Sequence, residues 1–154
     1  MMEQLTPELR TSLEKNNFIE RYRSLSSKYR FDSKDRLEKY GKSEALAIFN
    51  ELGYDASFNT KESFFKIVDK FPPYRFQFHI SLKYGAVELI WVVWKDDLIQ
   101  RSIGPWGLIK SYLDGNFDDD KIFLPRFRIY DDLRGILKEA LNMYEDFKRE
   151  MLAK

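Results

Sequence analysis

The stretch from Tyr74 to Asp96 constrains the fold more than any other part of the chain. Over residues 74–84, large apolar side chains occupy every second position and polar ones fill the positions between them. Such strict alternation is typical of a strand that is buried on one face only. Gly85-Ala86 follows directly, and Gly in the first central position predicts a two-residue type II′ turn. We therefore expect a tight β-hairpin.

This turn also predicts the register of the hairpin. It places Lys83 opposite Glu88 and Arg75 opposite Asp96, which gives two pairs of opposite charge on the polar face. The remaining predicted pairs are Leu82–Leu89, Ile80–Trp91 and Phe78–Val93 on the apolar face, and His79–Val92 on the polar face. The charges and the apolar side chains favour the same register.

Both ends of the chain have helical periodicity. Thr6-Pro7-Glu8 is a helix start signal, with a capping hydroxyl, Pro at the first helical position and an acid in the first turn. A second helical region is expected to start near Ser33, to break at Gly41 and to restart at Ser43. At the C-terminus, apolar residues recur at three- and four-residue steps from Leu133 to Met151. This stripe predicts a long amphipathic helix that begins at a capping aspartate, Asp131 or Asp132.

Between these ends, the pattern predicts further strands over residues 63–71, 98–103 and 122–130, the last at an edge because it contains Pro125. Residues 55–60 read as a polar loop. We therefore predict a single α+β domain over residues 1–154, with helices segregated onto one face of an antiparallel β-meander. Its parts are a helical region (1–55), a sheet (63–130) with a short helix near 105–114, and the C-terminal amphipathic helix (131–152).

The composition argues against several classes of function. A net charge of +1, from 26 basic and 25 acidic residues, gives no reason to expect a nucleic acid or a membrane as partner. Cysteine is absent, which excludes disulfides and thiol chemistry. No secretory signal is evident, and no apolar run approaches the ~20 residues that cross a bilayer. We expect a cytoplasmic protein without a cofactor.

Candidate catalytic and metal-binding residues are few. His79 is the only histidine, so it has no second imidazole with which to form a zinc site. A small enzyme that uses His79 would need a carboxylate from elsewhere in the chain. The loop from Asp114 to Asp120 copies part of the spacing of a calcium loop, but Asp119 stands where Gly is needed and Pro125 where the bidentate Glu is needed. We expect a solvated turn, whose acids are free to meet a basic partner.

Two further patterns concern binding. Arg126 and Arg128 alternate with aromatic and aliphatic residues, a composition that can bind single-stranded nucleic acid. The second strand of the hairpin is apolar on both sides: Ile90, Val92 and Trp94 share the face that its partner fills with Gln77, His79 and Ser81. The N-terminal helices cover this face, or it binds another protein, or it forms a homodimer contact.

The order of elements resembles that of small bacterial immunity proteins, which neutralise toxins of contact-dependent or type VI secretion systems. The resemblance covers residues from about 60 to the end, including the segments IGPWGLIKSYLDG and PRFRIYDDLRGILKEALNMYEDFKREM. It implies a cytoplasmic, non-enzymatic protein that binds a secreted toxin domain and covers its active or binding site. The contacts implied are exposed aromatics and acids near the sheet edge: Trp94, Asp96, Asp97, Trp106, Asp118, Asp119 and Asp120.

Three alternatives stay open beside this resemblance. A secretion or assembly chaperone would also combine helices with a meander, and it would dimerise through the sheet. A small enzyme would use His79. A nucleic-acid binder would use Arg126 and Arg128.

Overall fold

The computed structural model describes residues 4–32 and 34–153, which form five helices and five strands. The helices are α1 (Pro7–Lys15), α2 (Phe18–Lys28), α3 (Lys42–Glu51), α4 (Trp106–Asp114) and α5 (Tyr130–Leu152). The strands are β1 (Ser57–Asn59), β2 (Phe64–Phe71), β3 (Tyr74–Lys83), β4 (Ala86–Lys95) and β5 (Leu98–Ile99). The helix start predicted near Ser33 falls on a residue outside the described ranges, and residues 34–41 form turns and irregular structure.

The five strands form one antiparallel sheet in the order β1-β2-β3-β4-β5. This arrangement confirms the predicted α+β class and the meander. Residues 57–59 were predicted to be loop, which is wrong. They form β1 because the ring of Phe58 packs 4.8 Å from that of Phe65.

Residues 122–130 do not form the predicted strand. Arg126 makes a single β-bridge to Ala86, but the backbone N–H groups of consecutive residues here donate to different parts of the fold. The N–H of Arg126 donates to Tyr29 O (2.8 Å), whereas the N–H of Phe127 donates to Gly85 O (2.9 Å). Because neighbouring donors bond to two different elements, the segment joins the edge of β4 without continuing as a strand.

The predicted hairpin register is wrong by two residues. Tyr84 and Gly85 form the turn, with φ of 53° and 77°, and Lys83 pairs with Ala86. Positive φ at both central residues defines a type I′ turn. Ser81 therefore lies opposite Glu88, and the other observed pairs are Arg75–Trp94, His79–Ile90, Phe78–Trp91, Ile80–Leu89 and Leu82–Val87. A shift by an even number keeps every side chain on its predicted face.

The start of α5 also differs from the prediction. Ile129 occupies the N-cap position and no side chain caps the helix. Asp132 lies inside the first turn, where one carboxylate oxygen accepts the backbone N–H and the side-chain Nε of Arg128, each at 3.0 Å. Thr6 does cap α1 as predicted, since its hydroxyl accepts the N–H of Leu9 at 3.3 Å.

All five helices pack against the same face of the sheet. One contact places each of them: Glu8 of α1 with Tyr74, Phe18 of α2 with Trp91, Phe49 of α3 with Phe65, Trp106 of α4 with Phe78, and Phe147 of α5 with Phe76. The predicted segregation of helices is therefore confirmed. The alternative in which N-terminal helices cover Ile90, Val92 and Trp94 is wrong.

Candidate protein-binding surface

The face of the sheet opposite the helices is here called the outer face. Alternation and the observed register assign its members. They are Phe64, Lys66, Val68 and Lys70 of β2, Arg75, Gln77, His79, Ser81 and Lys83 of β3, Glu88, Ile90, Val92 and Trp94 of β4, and Ile99 of β5. No described helix lies over this face, and its members range from exposed, as at Lys70, Lys83 and Glu88, to buried, as at Ser81, which is 6% exposed.

An apolar strip runs along the outer face on β4. Ile90, Val92 and Trp94 are each half-buried by their neighbours in the sheet. The strip continues onto Ile99, which pairs with Trp94 and is 48% exposed. Val68 on β2, 38% exposed, is separated from the strip by Gln77 of β3. Contiguous apolar surface with a polar rim usually marks a site of interaction with another protein.

Arg75 and Trp94 form a flat platform at one end of the strip. They are direct cross-strand partners, and the guanidinium carbon lies 4.2 Å from the centroid of the indole ring. This stacking holds the guanidinium by cation–π attraction. The Nε of Arg75 is buried, and no acceptor for it exists among the described residues.

Asp96 and Asp97 lie beside this platform. Both have positive φ (51° and 64°), and Lys95 pairs with Leu98 on either side of them, so they form a second type I′ turn with exposed side chains. Together with the platform they line a cleft of about 430 Å³, whose other lining residues are Lys70, Pro72, Pro73 and Tyr74. The structure thus brings three of the sequence-predicted residues, Trp94, Asp96 and Asp97, to one place.

His79 is held by neutral groups. Its ring stacks on Phe64, with centroids 4.4 Å apart and planes 19° from parallel, and Nε2 lies 2.9 Å from the side-chain oxygen of Gln77. Burial lowers the pKa of His79, and the nearby charge of Lys66 lowers it further. Among the described residues no carboxylate hydrogen-bonds to the ring, which is the orienting group that a general base would need.

The outer face carries an excess of positive charge. Lys66, Lys70, Arg75 and Lys83 all project from it, against one acid, Glu88. None of the four cations forms an ion pair within the described part of the chain. Sequence reasoning missed this feature because the net charge of the whole chain is only +1. The signal is present in β2, where Lys66 and Lys70 have the opposite parity to the buried residues Phe65 and Ile67.

Trp106 does not belong to this surface. It is 1% exposed, and its ring packs against Phe18, Tyr22 and Trp91 at centroid distances of 5.1–5.3 Å. The expectation that Trp106 is an exposed contact is therefore wrong. Helix α4 directs this side chain into the core, because the helix follows a segment tied to the sheet by the bond from Trp91 N to Gly104 O (3.0 Å).

The acidic run Asp118–Asp120 lies on the helical side of the molecule. Asp120 makes two hydrogen bonds with Arg23 of α2, at 3.0 and 3.1 Å, and lies 3.6 Å from the ammonium of Lys110. The bonds from Arg23 hold the pKa of Asp120 below its usual value. Lys110 also pairs with Asp114 at 2.7 Å. Asp118 and Asp119 are exposed, and the contacts of the adjacent Asp120 are with α2 and α4 and not with the platform.

These contacts explain why the acidic loop does not resemble a calcium site. Two of its carboxylates, on Asp114 and Asp120, turn toward Lys110. Within the described ranges, no group of three or more histidine, aspartate or glutamate side chains is arranged to hold a metal.

The two arginines of the nucleic-acid alternative are engaged within the fold. The guanidinium of Arg126 donates to Phe31 O at 3.0 Å. Arg128 pairs with Asp132 at 3.0 Å and lies 3.6 Å from the centroid of the Phe31 ring. Side chains that already have these partners have fewer donors left for phosphates.

No known protein family, curated protein or solved structure matches the chain. Of the helices in the described ranges, none combines the length and the apolar character needed to span a membrane. The fold and the surface define an α+β protein with all its described helices on one face of a meander and an apolar and basic outer face that none of them covers.

Proposed function

We propose that the protein is a non-enzymatic binding protein whose outer face covers the active or binding site of a partner. In keeping with the resemblance to immunity proteins, the partner is a toxin domain. One observation supports this proposal above the others: a five-stranded sheet carries an apolar strip and four cations on a face that none of the described helices covers.

The dimensions of the outer face suit a protein partner. β3 and β4 have ten residues each, so at about 3.3 Å per residue they extend ~33 Å. The three long strands β2, β3 and β4, each occupying ~4.8 Å, add a width of about 15 Å, which gives roughly 500 Å² of flat surface. A standard interface buries about 800 Å² on each partner. The outer face therefore supplies most of such an interface, and the adjoining edges and turns supply the rest.

The side chains of the outer face suit a tight contact. Trp and Arg are enriched among residues that dominate binding energy, and Trp94 and Arg75 are already stacked on each other before a partner arrives. The unpaired cations favour an acidic partner surface, because charge complementarity speeds encounter and selects the partner. Burial beside Phe64 and the bond to Gln77 support a structural role for His79.

The test is co-expression with a candidate toxin domain taken from the open reading frame adjacent to the gene, with growth as the readout. We expect the wild-type protein to restore growth and Val92→Arg to lose protection, because it places a cation in the apolar strip. The matched control is Leu152→Arg, at an exposed apolar position on the helical side. His79→Ala should protect as the wild type does.

Two results would contradict the proposal. One is full protection by Val92→Arg. The other is loss of protection in His79→Ala with the fold intact, which would favour the enzyme alternative. If sedimentation instead shows a dimer that Val92→Arg dissociates, the chaperone-like alternative is favoured.

A further inference from the structure

The direction of the backbone bonds in the sheet follows from two of its turns. Lys83 and Ala86 close the type I′ turn, and the N–H of Asp96 donates to Pro73 O at 2.9 Å. Residues directly opposite alternate between bonded and non-bonded pairs. Odd-numbered residues of β3 therefore direct their backbone groups toward β4, and even-numbered residues direct theirs toward β2.

The same alternation carries over to β2. Its odd-numbered residues pair with even-numbered residues of β3, as in Ile67–Phe78 and Asp69–Phe76, so they bond inward. Its even-numbered residues direct their N–H and C=O groups to the other side. For Phe64 and Lys66 these groups meet β1. The backbone groups of Val68 and Lys70 point past the end of β1.

This half of β2 is an open edge. β1 pairs with β2 only over residues 64–66. Beyond that point, no strand within the described ranges pairs with the outward side of Val68 and Lys70. The opposite edge of the sheet is largely covered, because the N–H of Val87 donates to Pro125 O, that of Trp91 to Gly104 O, and that of Gln100 to Val93 O.

A cleft of about 430 Å³ runs along the open edge. Gly53, Tyr54 and Asp55 form part of its wall, and Glu145 and Lys148 of α5 form another part. The walls are fixed, since the Tyr54 hydroxyl donates to Glu145 at 2.7 Å and Lys148 pairs with Asp69 at 2.9 Å. The cleft is therefore preformed.

We propose that an extended segment of the partner adds to β2 as a further antiparallel strand, bonded to the N–H and C=O groups of Val68 and Lys70. Exposed edge groups are a template for strand addition, in which main-chain bonds give affinity and alternate side chains give specificity. This inference rests on the proposed function, because the same partner covers the outer face. The added strand extends that face by one strand width.

The side chains of β2 specify the segment. Lys70 and Val68 both project onto the outer face, so an acid fits opposite Lys70 and a β-branched residue opposite Val68. The middle residue of the segment lies opposite Asp69, and its side chain is on the same face of the sheet as that of Asp69. The carboxylate of Asp69 already accepts hydrogen bonds from Tyr144 and Lys148, each at 2.9 Å. A small residue fits there. Read from its N-terminus, the antiparallel segment is acidic, small, β-branched.

The probe is a seven-residue peptide with blocked ends, with Glu-Ser-Val at its centre and Thr at the other positions. The full-length, isotope-labelled protein is titrated with this peptide, and amide hydrogen exchange is followed by NMR. We expect the amides of Val68 and Lys70 to exchange at least tenfold more slowly when peptide is bound. The amides of Ile67 and Asp69, which bond inward, should not change.

Val68→Pro removes one outward N–H donor and no hydrogen bond of the sheet, and edge strands tolerate Pro where the backbone N–H points away from the sheet. We expect it to weaken peptide binding about tenfold. Val68→Thr keeps the donor and the branched side chain, and it should bind as the wild type does. If Val68→Pro does not fold, Lys70→Glu serves instead, because it keeps the backbone and repels the acidic residue of the peptide.

Three outcomes would overturn strand addition. The first is no binding at millimolar peptide, and the second is NMR shifts that are confined to the outer face and persist in Val68→Pro. The third is slowed amide exchange at Val68 that depends on protein concentration alone, which would indicate a second copy of the chain at the edge. The toxin assay separates the two proposals. If Val92→Arg loses protection and Val68→Pro keeps it, strand addition fails and the proposed function stands. If the peptide binds at the edge but no variant affects growth, the proposed function fails.

Discussion

Replacing Tyr84 by Asn should stabilise the protein, because Tyr84 has a backbone conformation that L-residues avoid. Its φ is 53° and its side chain is 71% exposed. The left-handed conformation costs an ordinary residue roughly 1–2 kcal/mol. Asn tolerates it, and Asn-Gly is the preferred pair in a type I′ turn. The tyrosine ring makes no aromatic contact within the described residues, so its removal loses little.

We therefore expect Tyr84→Asn to raise the free energy of unfolding by about 1 kcal/mol. In a domain of this size, that corresponds to a rise of about 2–4 °C in the melting temperature. Urea denaturation measures the change directly, as a higher midpoint with an unchanged slope.

Gly85→Ala is the control for this turn. Gly85 has a φ of 77°, and a Cβ added there would lie 2.5 Å from the Cβ of Arg36. We expect it to destabilise the protein. If Gly85 and Ala86 formed the turn instead, Tyr84 would be a strand residue and Tyr84→Asn would lower the free energy of unfolding. A lower urea midpoint for Tyr84→Asn would thus refute the type I′ turn.

Three further predictions concern single side chains. Burial and the charge of Lys66 lower the pKa of His79. The unfolded chain therefore protonates its histidine at a higher pH than the folded protein does, and stability falls as pH drops below ~6.5. His79→Gln should lack this decline in urea denaturation, and Lys66→Met should raise the histidine pKa measured by NMR. Burial raises the pKa of Asp146, but hydrogen bonds from two arginines outweigh it and the pKa is lowered. The stabilisation that ionised Asp146 contributes is present above pH ~3.9 and is lost as pH falls through the lowered pKa. Asp146→Asn should therefore reduce the fall in the free energy of unfolding at acid pH. Tyr144→Phe removes a bond to Asp69 of 2.9 Å and should lower the free energy of unfolding by about 1 kcal/mol, measured in urea.

The sequence was sufficient to predict which face of each central strand is buried, because alternation depends only on the parity of the residue number. It was not sufficient to place the turn. Gly85 is compatible with either hairpin turn, and the observed one requires Tyr84 to adopt a conformation that propensity disfavours. Residues 57–59 were missed as a strand because three residues are too few for alternation to be recognised.

The candidate surface was predictable in part. Trp94, Asp96 and Asp97 are close in sequence, and the turn after β4 keeps them close in space. The basic character of the outer face depends on which strands are neighbours, since it joins Lys66 of β2 to cations of β3. Net charge cannot reveal such a local excess. Trp106 was misplaced because its helix has an apolar face whose direction depends on tertiary packing.

The proposed function requires that the outer face is open in the free protein and covered by the partner. Because the chain has no cysteine, single cysteines can report on each side of the sheet. We predict that a thiol reagent labels both Val92→Cys and Leu152→Cys in the free protein. In complex with the proposed toxin partner, labelling of Val92→Cys should slow at least tenfold while that of Leu152→Cys stays unchanged. Protection of Leu152→Cys instead, with Val92→Cys still reactive, would contradict the account.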